Sequence, residues 1–482
     1  MRKTLTVGAL ALLVSGCMLG PDYFRPAVDT PPAWRVNDQE AHTAIDAAWW
    51  RQFGDPQLDA LVDEALSANL DLLIASERIA EYAGRLGVAR SDLFPQVGAG
   101  YDVARQRNTP PGATSTSIYN SYGAVLSASW EIDLWGRIRR QTEAARAQLV
   151  ASEEGRRGVL LTLVANVAGA YLNLRSLDRQ LEIANETART RAASYQLFQD
   201  RYAGGVISIL ELSQNKSQYD EALASIPSLE KTIAQQENAL SILLGRNPGP
   251  VARGRKIDSL DAPPLPAGLP SELLERRPDL RAAEQQLIAA NALIGAARAA
   301  YFPSISLTGL AGVASGRLGS LFDGDSRVWQ YAGAVNLPIF TAGRIGSQVE
   351  VAEAQQRQAL LAYRQAIQNA FREVNDALID QDRTRAQLEA QGQQVESLHQ
   401  YADTARLRYD NGYTSYLEVL DAERSLFQAE LQYTQTQQKR LQATVNLYRA
   451  LGGGWPEAAG TKNAPEAAGT PAEPDARTPA AQ

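Results

Sequence analysis

The chain has 482 residues, 45% hydrophobic and 21% charged, with 47 Lys and Arg against 54 Asp and Glu, giving a net charge of -7. That acidic balance excludes a general nucleic-acid binder, which needs a basic face to meet phosphate. One cysteine, Cys17, excludes an intrachain disulfide, and two histidines, His42 and His399, without paired spacing, a phosphate loop or a nucleophile elbow give no support to catalysis, a metal site or a cofactor.

The first element is an address. Arg2-Lys3, an apolar run from Leu5 to Val14 and the small pair Ser15-Gly16 form a secretory signal over residues 1–16 that leads directly into Cys17. This order predicts cleavage before Cys17, lipidation of its thiol, and a lipidated N-terminal segment over 17–56. Removing Arg2 and Lys3 takes the net charge from -7 to -9. Met18, where inner-membrane retention signals carry Asp, favours sorting to the outer membrane by resemblance to such signals. No later stretch holds 18 uninterrupted apolar residues, so a membrane could be crossed only by a closed β-barrel.

From residue 57 the chain is written twice. Gly136-Arg137 aligns with Gly343-Arg344, Arg201-Tyr202-Ala203-Gly204-Gly205 with Arg408-Tyr409-Asp410-Asn411-Gly412, and Leu244-Gly245 with Leu451-Gly452, all at an offset of 207. The first repeat, 57–245, opens on a helical stretch over 57–93 and continues into a strand hairpin over 96–134 with an exposed loop at 105–118. Tyr122, Ala124, Leu126, Ala128, Trp130 and Ile132 alternate with Gly123, Val125, Ser127, Ser129 and Glu131, a two-faced strand. Tyr122 and Trp130 lie roughly 26 Å apart on one face, as aromatics at the two rims of an apolar band would.

Arg137 to Tyr202 then gives 66 residues without proline, a helix of ~100 Å. Leu160, Val167, Leu174, Leu181, Ala188, Tyr195 and Tyr202 recur every seventh position, with Leu163, Ala170, Leu177, Ala184 and Phe198 between them, forming a coiled-coil seam. Gly204-Gly205 ends it, and a shorter helix over 206–244 follows, which Pro227 should kink or interrupt.

A Pro/Gly-rich linker, 246–270, joins the second repeat, 271–452. It repeats the order: a helix over 272–301, a hairpin over 304–340 with a loop at 315–327, a proline-free helix from Arg344 to Tyr409, and a helix over 415–451. Trp329 and Tyr331 take the apolar face of the last strand as further interface aromatics. The second seam is poorer, with Gln381, Thr384 and Gln391 at the matching places. Helix lengths predict two short helices end to end beside each long one. The tail 453–482, in which Pro456 to Thr461 recurs at 465–470, reads as disordered.

These residues resemble the outer-membrane efflux proteins, TolC- and OprM-like, in their lipoprotein branch. The resemblance rests on Gly20-Pro21-Asp22-Tyr23 with Arg25-Pro26, Trp49-Trp50 with Phe53-Gly54-Asp55-Pro56, and Trp130 through Arg137. It also rests on Leu269-Pro270-Ser271 through Glu275-Arg276-Arg277-Pro278-Asp279, and on Tyr416-Leu417 through Leu420-Asp421-Ala422. It implies an α+β membrane protein in the outer membrane. A homotrimer would form a 12-stranded barrel, four strands per chain, continued by a 12-helix periplasmic coiled-coil tunnel with a mixed equatorial region. It also implies a tripartite efflux pump, with a periplasmic adaptor and an inner-membrane pump as partners and outer-membrane lipid around the barrel. Elementary geometry points the same way: four strands cannot close, eight leave a filled interior, and twelve from three chains give the smallest symmetric set with an open lumen.

The resemblance further implies a periplasmic gate at Leu417, Asp421 and Arg424, which share one helical face. Three copies of Asp421 ~6 Å apart would repel by roughly 3 kcal/mol per pair at an effective dielectric of ~20 and attract cations. Gln214 and Ser217 stand at the equivalent places of the first repeat, so the ring has three members rather than six. The tip turns, with Tyr202, Gly204, Gly205, Tyr409, Asn411 and Gly412, are the expected adaptor-docking points. Two other readings stay open at this stage: an outer-membrane exit for protein secretion, and a trimeric coiled-coil lipoprotein without transport. The cargo is not written in the sequence.

Overall fold

A computed structural model describes residues 18–31, 34, 48–108, 116–263 and 273–453. The signal peptide, Cys17, the later part of the linker and almost all of the tail lie outside the described residues. After a 3₁₀ turn at Trp49–Phe53 come α1 (Pro56–Ala68), α2 (Leu70–Ser91), β1 (Gln96–Asn108), β2 (Ser117–Ile132), α3 (Arg137–Ala203) and α4 (Ile209–Leu243). Then follow α5 (Leu273–Arg276), α6 (Pro278–Ala299), β3 (Ser304–Ser315), β4 (Arg327–Asn336), α7 (Arg344–Asp410) and α8 (Tyr416–Ala450). The long helices have 67 residues each and their successors 35 each, in register at the 207-residue offset.

The matched glycines explain why the repeat survives. Gly136 and Gly343 have φ +76° and +84°, Gly205 and Gly412 +73° and +76°, Gly245 and Gly452 +74° and +72°. All six sit in left-handed corners where a Cβ is strained, so each repeat turns at the same three places.

Several boundaries differ from expectation. The stretch 57–93 is two helices, because the Asn69 side chain accepts from Leu72 N–H at 3.0 Å to cap α2 and donates to the Leu243 carbonyl at 2.9 Å. The stretch 272–301 is likewise broken before Pro278. Pro227, in contrast, does not interrupt α4. It removes a single backbone donor, while buried Ala222 and half-buried Ile226 anchor the helix on its N-terminal side. The first hairpin loop is shorter than expected, since β1 runs to Asn108 and β2 starts at Ser117, and β4 ends at Asn336, before Leu337 and Ile339.

The sheet is antiparallel in the order β1-β2-β3-β4. Its register puts most of the large apolar residues on one face, where Val97 faces Ala128, Tyr101 faces Ala124, Trp130 faces Leu307, and Gly309 faces Tyr331; Val125, Leu310 and Val328 fall on the other. The other face carries Gly98, Asp102, Ser127, Ser129, Glu131, Ser306, Thr308 and Gln330, mostly small and polar. A sheet with one apolar and one small polar face is what a lipid-facing, lumen-lining wall requires.

Helices continue this sheet in the same order. Next to the sheet the row is α2-α3-α6-α7, and farther down it is α4-α3-α8-α7. Thus α2 and α4 flank one long helix while α6 and α8 flank the other, as the helix lengths predict. The edge strand β1 continues from the edge helix α2, and the edge strand β4 leads into the edge helix α7. Among the described residues, β1, α2 and α4 form one open edge of this layer and β4 and α7 the other.

The core lies at the equator, where Trp49, Trp50, Phe53, Leu58, Leu61 and Val62 pack on Leu163, Val167, Leu172 and Tyr448. Trp49 stacks on Tyr448 at 5.1 Å. Here α3 is buried on nearly every side, off-seam Val164, Ala168 and Tyr171 included, so the heptad describes only its lower half. This encasement also explains an 18-residue window in α3 with mean hydropathy 1.3, apolar enough to cross a membrane yet half buried within the chain. Along α7, Gln381 is buried and accepts from Thr444 Oγ1 at 3.2 Å, which accounts for the poorer second seam.

Candidate gate, docking tips and membrane anchor

The strand-to-helix corner fixes the membrane end. Glu131 makes a forked pair with Arg137 at 3.2 and 2.8 Å, and Asp133 accepts from Ile138 N–H and Arg139 N–H at 3.1 and 2.9 Å, occupying free donors of the first turn of α3. Trp130 and Trp135 donate their indole N–H to the Leu93 and Pro303 carbonyls at 3.0 and 2.7 Å. The motif from Trp130 to Arg137 is therefore a hinge pin between barrel and tunnel.

The N-terminal segment is seated on this corner. Leu19 N–H donates to the Trp135 carbonyl at 3.2 Å, buried Arg140 donates to the Leu19 carbonyl at 3.1 Å and pairs with Asp22 at 2.7 Å, and Asn291 holds the Pro21 carbonyl at 2.9 Å. A Cβ on Gly20 would stand 2.3 Å from Gly295 Cα, and one on Gly295 would stand 2.4 Å from the Leu19 carbonyl oxygen, so both glycines are required by close approach. Farther down, Tyr23 donates to Glu284 at 3.0 Å, and Arg25 pairs with Glu275 and Glu284. Cys17 itself lies outside the described residues, but the segment that follows it is tied to the foot of the sheet. An acyl chain on Cys17 would therefore lie beside the foot of the sheet. Mass spectrometry of the mature protein is expected to find it beginning at lipidated Cys17, and Cys17→Ser should impair sorting more than pore formation. A mature protein with another N-terminus would contradict this assignment.

Of the expected interface aromatics, Tyr122 and Trp130 sit toward opposite ends of the apolar face of β2. Trp329 and Tyr331, on the edge strand β4, lie on the same face opposite Ala311 and Gly309 and stack at 5.5 Å.

At the far end both long helices finish in the same cap. Val206 N–H bonds Arg201 O and Gly205 N–H bonds Tyr202 O, each at 2.9 Å, and Tyr413 and Gly412 repeat the pattern on Arg408 and Tyr409 at 2.9 Å. No atom lies within 4 Å of a Cβ built on Gly205 or Gly412, so backbone conformation alone demands glycine there. Gly204 and Asn411 occupy the preceding cap positions with ordinary φ. Between the turns, Phe198 meets Tyr416 at 4.2 Å and Tyr409 meets Tyr416 at 5.0 Å, while Arg201 Nη1 donates to the Tyr409 hydroxyl at 3.1 Å. The two matched tyrosines therefore differ: Tyr202 is exposed, whereas Tyr409 is committed to the packing between the hairpins. Val206, Ile209, Leu210, Leu407 and Tyr413 form the exposed apolar part of the tip.

Leu417, Asp421 and Arg424 share one face of α8, as their spacing predicts. Leu417 is 61% exposed, and Arg424 Nη2 donates to Asp421 Oδ1 at 3.0 Å, both side chains being about half exposed. Within one chain this is an open helix-surface ion pair. Sequence reasoning misses a buried group behind it, Arg191, Ser194, Asn215 and Tyr416, with half-buried Glu423 beside it. Its signal is Arg191 itself, a charge in the series Leu177, Ala184, Arg191, Phe198 that is otherwise apolar.

The outer membrane efflux protein model matches residues 61–246 and 269–453, nearly the whole of both repeats. The chain belongs to the outer membrane efflux protein family. It is 39% identical over 450 residues to the cation efflux system protein CusC of an Escherichia coli laboratory strain, covering 92% of this chain and 98% of that protein. It is 37% identical over 473 residues to the toluene efflux pump outer membrane protein TtgC of Pseudomonas putida, covering 96% and 98%. Among solved structures, the outer-membrane channel OprN superposes with a TM-score of 0.85 at 31% identity, covering 91% of this chain and all of the other. The protein is an outer-membrane efflux channel with a sheet-and-helix tunnel architecture.

Proposed function

We propose that three copies of this chain close into one duct, a 12-stranded barrel continued by a 12-helix tunnel, that serves as the passive outer-membrane exit of a tripartite efflux pump. The observation that carries the reading is this layer, open along β1, α2 and α4 on one side and along β4 and α7 on the other. An unpaired strand edge cannot stand in hydrocarbon, so β4 of one copy must pair with β1 of the next. That contact is head-to-tail, and it stays soluble and finite only if the rotation closes. The helical edges support the same pairing. Leu73 on α2 and Leu361 on α7 are exposed, and lie 18 and 17 residues from the sheet ends of their helices, ~27 and ~26 Å along the axis. Exposed Ile339 and Phe340, at the foot of β4, are on that same open edge.

The lumen-side face is mostly small and polar, with Asp102 and Glu131 among its residues, and names no cargo. CusC is named for cations and TtgC for toluene, and one duct architecture suits both if cargo is chosen by the inner-membrane pump and its periplasmic adaptor. The expected test is chemical: Leu73→Cys with Leu361→Cys and a short bis-maleimide. Within one chain, α2 and α7 are three helix spacings of ~8–10 Å apart, beyond the reagent. A covalent ladder ending at trimer is predicted, and a ladder continuing past three, or none at all, would contradict the closed duct.

At the tips, the six turns of a trimer form the adaptor-facing ring. Bulky β-branched residues at Gly205 and Gly412 together should abolish drug export while trimers persist, because each strained corner costs about 1–2 kcal/mol and splays exposed residues. Unchanged export in the double variant would remove the turns from the docking surface.

A further inference from the structure

Behind the gate face lies a junction of α3, α4 and α8 that the channel architecture alone does not require. Arg191 and Ser194 come from α3, Asn215 and Gln218 from α4, and Tyr416, Glu423 and Phe427 from α8. Asn215 Nδ2 donates to the Tyr416 hydroxyl at 2.6 Å and to Ser194 Oγ at 3.1 Å, and Ser194 Oγ lies 3.1 Å from the same hydroxyl. Arg191 is 3% exposed; it donates through Nη1 to the Gln218 carbonyl at 2.7 Å, approaches Glu221 at 3.5 Å, and lies 5.2 Å over the Phe427 ring.

Four buried atoms here have no hydrogen-bond partner among the described residues: Arg191 Nε and Nη2, Asn215 Oδ1 and Gln218 Oε1. Two nitrogens that donate beside two oxygens that accept suit water, which does both, and suit neither a bound anion nor a bound cation. Burial lifts the Glu423 carboxyl above the usual carboxylate range, with Arg406 and Arg191 pulling it back, and burial lowers the Arg191 guanidinium. The ion partner of Glu423 is Arg406 of α7, at 3.9 Å.

The junction also has a direction. At about 100° per residue, Tyr416, Glu423 and Phe427 share one face of α8, while Leu417, Asp421 and Arg424 share another roughly 110° round the axis. Whatever fixes the first face therefore aims the second.

We propose that this junction is a hydrated positioning joint: water bridges Arg191 to Gln218 and Asn215, and the joint grips Tyr416 so that α8 presents Leu417, Asp421 and Arg424 to the channel axis. Arg191, Asn215 and Tyr416 are positioning residues that act through the gate face, and the inference rests on the gate reading of that face. Water lets the helices shift without leaving a buried charge dry, so the closed setting is held by polar contacts that rearrange rather than by packing that must break.

The test is single-channel conductance of full-length trimers in planar bilayers, with trimers confirmed by gel for each variant. Tyr416→Phe, which deletes one hydroxyl, and Arg191→Met should each raise conductance about twofold or more by shifting α8 away from its closed setting. Wild-type conductance in Tyr416→Phe and Arg191→Met overturns the proposal, and should Arg191→Met not assemble, Tyr416→Phe decides. Asp421→Ala with Arg424→Ala separates the two readings. If it opens the channel and the joint variants do not, the joint fails and the gate stands; if only the joint variants open it, the gate reading of Leu417, Asp421 and Arg424 fails and the proposal that the joint acts through them falls with it.

Discussion

Asp421→Ala combined with Arg424→Ala should raise conductance and weaken block by divalent cations. In one chain the two side chains make an exposed pair at 3.0 Å on a helix surface. Such a pair is worth only a few tenths of a kcal/mol, so the variant should fold and assemble normally. The expected effect belongs to the trimer: with this face at the axis, three Asp421 carboxylates ~6 Å apart at an effective dielectric of ~20 would repel by roughly 3 kcal/mol per pair and concentrate cations between them. Removing them would then widen the passage there and abolish the attraction for a divalent ion. Half-exposed Arg424 offsets part of the acidic field, which is why both residues are removed together. Wild-type conductance and wild-type block in the double variant would place the constriction elsewhere.

The largest stability loss is expected at Asp55. This carboxylate is 1% exposed and accepts from Gln57 N–H at 2.9 Å, from the Tyr171 hydroxyl at 2.6 Å and from Arg255 N–H at 3.0 Å. It thus caps α1, ties that helix to α3 and secures the start of the linker. Gly254 N–H in turn donates to the Tyr171 hydroxyl at 3.0 Å, and a Cβ on Gly254 would fall 2.0 Å from Asp55 Oδ1. Burial first, and the neighbouring carboxylate second, push the Tyr171 hydroxyl up in pKa, so it remains a donor at every physiological pH. Asp55→Ala loses the cap and leaves two buried donors unpaired, about 3–5 kcal/mol in all. Denaturant unfolding in detergent should show it as a clear fall in midpoint, with Gly254→Ala behaving alike. A midpoint within error of wild type would mean that the equator is held by packing alone.

Much of this is legible from residues whose physics is local. Strand alternation around Trp130 yields both faces of the sheet, because side-chain direction has a strict period of two. Proline-free runs between matched glycines yield the long helices to within a residue at their far ends. Less legible is whatever depends on a distant partner. The break at Asn69 comes from an interaction with Leu243, 174 residues away. Tyr202 and Tyr409 look identical in sequence, yet only Tyr409 meets Phe198 and Arg201 from the other hairpin. Arg191 breaks an apolar series in plain view, while its partners come from two other helices that no periodicity connects to it.

The central claim, that this chain builds a closed aqueous path through the outer membrane, is tested most directly by current. Purified trimers reconstituted in a planar bilayer should give discrete single-channel steps, small in wild type and larger in the Asp421→Ala, Arg424→Ala double variant. A flat baseline from both proteins, with trimers intact on the gel, would contradict the duct.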